Sequence, residues 1–67
     1  MISLRVNGDP RQFAGQLTVR ELLEQLSVSA PAIAVEVNRE IVPRSRYQTH
    51  ELKHGDQVEI VTFVGGG

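Results

Sequence analysis

Two short stretches of this chain carry residue types that could do chemistry. The first is the closing run VGGG, in which Gly65, Gly66 and Gly67 follow what reads as the last strand. Glycines there bury nothing and hold no backbone angle, so the run is either a frayed end or a working tail. A carboxylate on Gly67 is ionised at neutral pH, and it can attack the α-phosphate of ATP once a partner supplies Mg²⁺ and charge stabilisation. The resulting acyl adenylate then accepts a nucleophile. Glycine suits such a tail because it has no Cβ to block a narrow channel, and three of them extend to about 10 Å. The expectation is a flexible tail over 65–67 that enters a partner's active site while the body stays outside.

The second stretch is His50-Glu51-Leu52-Lys53-His54, which matches the H-E-x-x-H signature of zinc hydrolases. That chemistry needs both histidines on one face of a stable helix, a third protein ligand, and a cleft around a zinc-bound water. The sequence offers none of these. Gly55-Asp56 ends the segment at once, no capped helix precedes it, and only distant carboxylates remain as a third ligand. The expectation is a solvated loop with Leu52 packing inward, no metal site and no catalytic residue of the chain's own.

Composition narrows the classes further. The chain has 67 residues, 40% of them hydrophobic and 22% charged, with no cysteine. That balance folds, but the length supports one small core and no cleft between two domains. Without cysteine there is no disulfide, thiolate nucleophile or Cys-based metal site, so any sulfur chemistry must use another group. The net charge of −1, with Lys and Arg scattered in ones and twos, forms no basic stripe for a phosphate backbone or an anionic membrane. No apolar run approaches the roughly 20 residues of a spanning helix, and Met1 leads straight into a strand pattern without a leader-like segment. A cytoplasmic protein with neither nucleic-acid nor membrane partners is expected.

The elements that must carry the tail follow from periodicity. Ile2, Leu4 and Val6 alternate with Ser3 and Arg5 as a strand with one buried face. Asn7-Gly8 marks a tight turn that Asp9-Pro10 lengthens, and a short return strand around Gln12 to Ala14 buries Phe13. Thr18 and Glu21 then form a capping box, and Val19, Leu22, Leu23 and Leu26 recur at helical spacing. A helix is predicted over Val19 to Ser27, ended by the approach to Pro31. Ile33, Val35 and Val37 make a third strand, Asn38-Arg39 turns into a short piece over Glu40 to Val42, and Arg44 to His54 keeps no period beyond one helical turn. After the Gly55-Asp56 turn, Gln57 to Val64 is the last strand.

The first and last strands are the longest apolar ones, and a terminal strand left as an open edge is a liability. Pairing them centrally and in parallel, across the helix-containing crossover, resolves this. The expected fold is α+β, a single domain over 1–64. In it a mixed sheet of four to five strands packs on one helix, around a core of Ile2, Leu4, Val6, Phe13, Leu22, Leu23, Leu26, Val35, Val58 and Ile60.

The VNG turn, the capped LTVRELLEQL helix, AVEVNREIVPR, HGDQVEIV and the closing VGGG, in that order and spacing, resemble the ThiS family of ubiquitin-like sulfur carriers across the whole chain. The resemblance implies a β-grasp fold and a role in thiamine (thiazole) biosynthesis. It implies that Gly67 is adenylated by a ThiF-like, ubiquitin-activating type of enzyme that uses ATP and Mg²⁺, with no cofactor bound by this chain. The product is a thiocarboxylate that donates sulfur to the thiazole synthase ThiG, the sulfur coming from a cysteine desulfurase or a rhodanese-type protein. The neighbouring readings are the small subunit of molybdopterin synthase, usually longer, and a ubiquitin-like modifier, whose tail carries arginines where Val64 and Gly65 stand here.

A partner also needs a surface. Val61 and Phe63 share the outward parity of Gln57 and Glu59, and Ala34 extends an apolar patch if its strand lies alongside. Strand twist or a bulge would instead bury Phe63. Arg44 and Arg46 read as solvated charges, with partner acids as the other possibility.

Overall fold

The computed structural model describes residues 1–30 and 32–63. Val64 and the tail predicted over Gly65 to Gly67 lie outside them, as does Pro31. Asn7 and Gly8 have φ of 49° and 86°, the two positive values of a type I′ turn, whose twist matches a tight hairpin. Strand β1 (Ile2–Val6) therefore folds back directly into β2 (Asp9–Phe13), with Val6 opposite Asp9. Asp9 and Pro10 do not lengthen the turn, as expected from sequence; they begin the return strand. Pro10 is tolerated because β2 is the sheet edge, and its position opposite Arg5 points the missing N–H outward.

The two-residue strand β3 (Leu17–Thr18) runs straight into helix α1 (Val19–Gln25). The helix starts with the capping box: Glu21 N–H donates to Thr18 Oγ1 at 3.2 Å and Thr18 N–H to Glu21 Oε1 at 2.8 Å. The next orphan donors find carbonyls in the later loop, Val19 N–H on His50 and Arg20 N–H on Tyr47. The helix ends before the expected Ser27. Ser27 sits at φ 56°, its N–H donates to Glu24 O, and Val28 N–H reaches Leu23 O at 3.0 Å. This is a Schellman closure with serine in the place glycine usually takes, so the stop is made by the backbone four residues ahead of Pro31.

Strands β4 (Ala32–Val37) and β5 (Glu40–Val42) form a second hairpin through Asn38-Arg39, both at positive φ. The stretch that follows, expected to be a loop, contains more. Arg44–Arg46 is a 3₁₀ turn, and β6 (Glu51–Leu52) pairs antiparallel with β3, Leu17 opposite Leu52. Both leucines are buried. This clasp ties the entry of α1 to the loop before the last strand, β7 (Gln57–Phe63).

The main sheet has the order β2-β1-β7-β4-β5, with β1 and β7 parallel in the middle and every other pairing antiparallel. The expected mixed sheet grasping one helix is therefore present, with five strands. Eight of the ten expected core residues are buried, whereas Ile2 and Leu26 are only partly buried at its margin. Leu17, Val19, Val37, Val42 and Leu52 complete the core. Among the described residues, no helix is long and apolar enough to cross a membrane.

Candidate functional site

Strand β7 positions the candidate site because it is central in the sheet and its last described residue leads to the tail. Val58 and Ile60 point into the core, so Val61 and Phe63 point to the opposite face, where they are 51% and 56% exposed. Strand twist does not bury Phe63. Register brings Ala34 directly opposite Val61, and Ala32 opposite Phe63, so the patch expected from parity is assembled across β4 and β7. Ala34 is half-buried and Ala32 exposed. Sequence reasoning misses Ala32 although it shares the parity of Ala34, because only the pairing register reveals its place beside Phe63.

The next row of this face is acidic. Glu36 lies opposite Glu59, a like-charged cross-strand pair that costs the free sheet some stability, and neither forms an ion pair among the described residues. Ile41, 73% exposed, flanks Glu36 on β5 and is thereby separated from the apolar end. The four residues after Phe63 can reach about 14 Å at most, which sets how far Gly67 can stand from the patch. The site residues Gly65, Gly66 and Gly67 themselves lie outside the described structure.

The H-E-x-x-H segment is not a helix. Glu51 and Leu52 belong to β6, Leu52 is core, and His54 Nδ1 accepts a 3.0 Å hydrogen bond from the Ser3 N–H. Gly55 N–H donates to Ser3 O at 2.8 Å, so the loop covers the free edge at the start of β1. His54 is thus part of the sheet's edge rather than simply solvated. Among the described residues, no group of three or more His, Asp or Glu is placed to hold a metal ion. Arg44 and Arg46 are exposed on the 3₁₀ turn and form no ion pair among the described residues.

Comparison with known proteins places this arrangement. The ThiS family model matches residues 4–67. The sulfur carrier protein ThiS of Escherichia coli is 38% identical over 61 residues, covering 91% of this chain and 92% of that protein. A thiazole synthase of Paramagnetospirillum magneticum is 46% identical over 66 residues, 98% of this chain; the chain spans only 20% of that protein's length. The crystal structure of ThiS from Geobacter metallireducens has a TM-score of 0.85 at 40% identity, covering 98% of this chain and 100% of that one. With the family's pattern matched from β1 to the last glycine and its fold reproduced, this chain belongs to the ThiS family.

Proposed function

We propose that this chain is a sulfur carrier of thiamine biosynthesis and a substrate of other enzymes, with no catalytic residue of its own. An oxygen of the Gly67 carboxylate attacks the α-phosphate of ATP in a ThiF-like adenylating enzyme, forming the acyl adenylate and releasing pyrophosphate. A sulfur nucleophile, supplied through a cysteine desulfurase or a rhodanese-type protein, then displaces AMP at the acyl carbon. Where that nucleophile is a persulfide, its terminal sulfur forms an acyl disulfide as AMP leaves. A thiol then attacks the donor's sulfur, forming a disulfide there and releasing a thiocarboxylate on Gly67, which delivers its sulfur to the thiazole synthase ThiG. ATP and Mg²⁺ belong to the adenylating partner. The apolar end formed by Val61, Phe63 and Ala34 docks the body, while Gly65, Gly66 and Gly67 occupy the channel.

The observation that carries this reading is the family match running through the glycine tail. It also favours the thiazole pathway over molybdopterin synthesis and over protein modification, and the thiazole synthase relatives support a link to ThiG. The test is the intact mass after incubation with ATP, Mg²⁺, a ThiF-like enzyme and a sulfur source. The expected product is heavier by the difference between one sulfur and one oxygen, located at Gly67. Removing Gly67 shortens the reach by about 3.5 Å and should abolish the product without unfolding the body. No mass gain in the unaltered chain, or an equal gain without Gly67, overturns the reading.

A further inference from the structure

Among the described residues, the end of β7 that carries Val61 and Phe63 is held on its second edge by one side chain. Along β7 the peptide groups alternate: Gln57 O faces the β4 side, taking the Asn38 N–H at 2.7 Å, whereas Asp56 O and Val58 O take the N–H groups of Arg5 in β1 and of Asn7 just after it at 3.0 and 2.9 Å. By that alternation Ile60 also faces β1. Strand β1 has no residue left to meet it, because the chain turns back at Gly8.

The carboxamide of Asn7 takes the place of the missing peptide. Ile60 N–H donates to Asn7 Oδ1 at 2.7 Å, and Asn7 Nδ2 donates to Ile60 O at 3.2 Å, both partly buried. A side-chain amide offers the same donor and acceptor as a backbone peptide, so it adds one rung to the parallel ladder. Asn7 sits at positive φ, a conformation asparagine tolerates. At the other end of the same strand, Asn38 makes the matching contact: Gln57 N–H donates to its Oδ1 at 3.0 Å. Each hairpin turn thus lends one asparagine to an end of β7.

We infer that Asn7 is a positioning residue for the tail, fixing the end of β7 from which Gly67 is presented to the adenylating enzyme. Phe63 lies about 10 Å along the strand from Ile60, so about 10° of play there moves it by almost 2 Å. A misplacement of about 1 Å can cost on the order of 100-fold in a positioned reaction. This inference rests on the carrier reading above, and the experiment separates the two.

Three variants are compared with the unaltered protein by amide hydrogen exchange and by steady-state ATP–pyrophosphate exchange with a ThiF-like enzyme. Asn7→Gly keeps the turn's positive φ and removes the rung. It should speed Ile60 amide exchange about tenfold or more while leaving Gln57 unchanged. The kcat of pyrophosphate exchange should fall about tenfold, with a smaller rise in KM for the carrier, because Val61 and Phe63 stay exposed on the same face while play at the end of β7 dilutes in-line placement. Asn38→Gly is the control, loosening Gln57 instead and leaving kcat within about twofold. Asn7→Asp keeps an acceptor for the Ile60 N–H but no donor for its carbonyl; it should fall between, and it is the variant read if Asn7→Gly does not fold. Wild-type kcat in the Asn7 variant read, or equal losses in it and Asn38→Gly, overturns the positioning role. Absence of exchange in the unaltered protein overturns the carrier reading and this role with it.

Discussion

Replacing Phe63 by alanine removes the largest exposed group beside the tail and leaves the core untouched. A phenylalanine side chain presents about 200 Å² in full. At 56% exposure, about 110 Å² of it remains for a partner to cover. At about 25 cal/mol per Å² that area is worth about 2.8 kcal/mol, and alanine retains part of it, so docking should weaken by about 2 kcal/mol. This corresponds to about 30-fold in affinity. The entropic cost of association is common to both proteins, so the difference is safer than any absolute affinity drawn from area. The assay is ATP–pyrophosphate exchange with a ThiF-like enzyme at varied carrier concentration, in which KM should rise and kcat at saturation should hold. Ile41→Ala is the control, since Ile41 is more exposed but sits at the β5 end of the Glu36–Glu59 row, away from the apolar end. A KM for Phe63→Ala within twofold of wild type, or an equal rise for Ile41→Ala, would refute docking through the apolar end.

Three further outcomes follow from the packing. Leu52→Ala empties a fully buried position in the β3–β6 clasp and should cost about 2–5 kcal/mol, read as a lower urea midpoint at unchanged slope; a loss under about 1 kcal/mol would show the clasp is dispensable. Ser27→Gly relieves the left-handed residue that closes α1 and should add up to about 1 kcal/mol, raising Tm by about 4–8 °C, whereas a lower Tm would contradict the strain. His54→Ala deletes the acceptor for the Ser3 N–H and should cost about 1 kcal/mol in the same urea assay with no change in bound metal; a neutral result would mean water replaces the imidazole without penalty.

The sequence by itself determines what neighbouring residues decide. The capping box at Thr18 and Glu21 spans one helical turn, the Asn7-Gly8 turn is set by two residues that accept positive φ, and strand alternation points Val61 and Phe63 outward. Central pairing of β1 with β7 is legible too, because few topologies spare two long apolar strands an open edge. The chemistry proposed for Gly67 is equally local, since it depends on the functional groups at one residue. Other features depend on groups far apart in sequence. Leu17 meets Leu52 only after the crossover is made, Ser3 meets a nitrogen of His54 that the H-E-x-x-H pattern would assign to zinc, and Asn7 meets Ile60 across 53 positions. No propensity or period in a short window records such contacts, because each partner's environment exists only in the folded sheet. Local pattern therefore determines which elements form and which residues could react, while the tertiary structure alone decides what closes the loop before β7, what pins the far end of that strand, and which alanine stands beside Phe63.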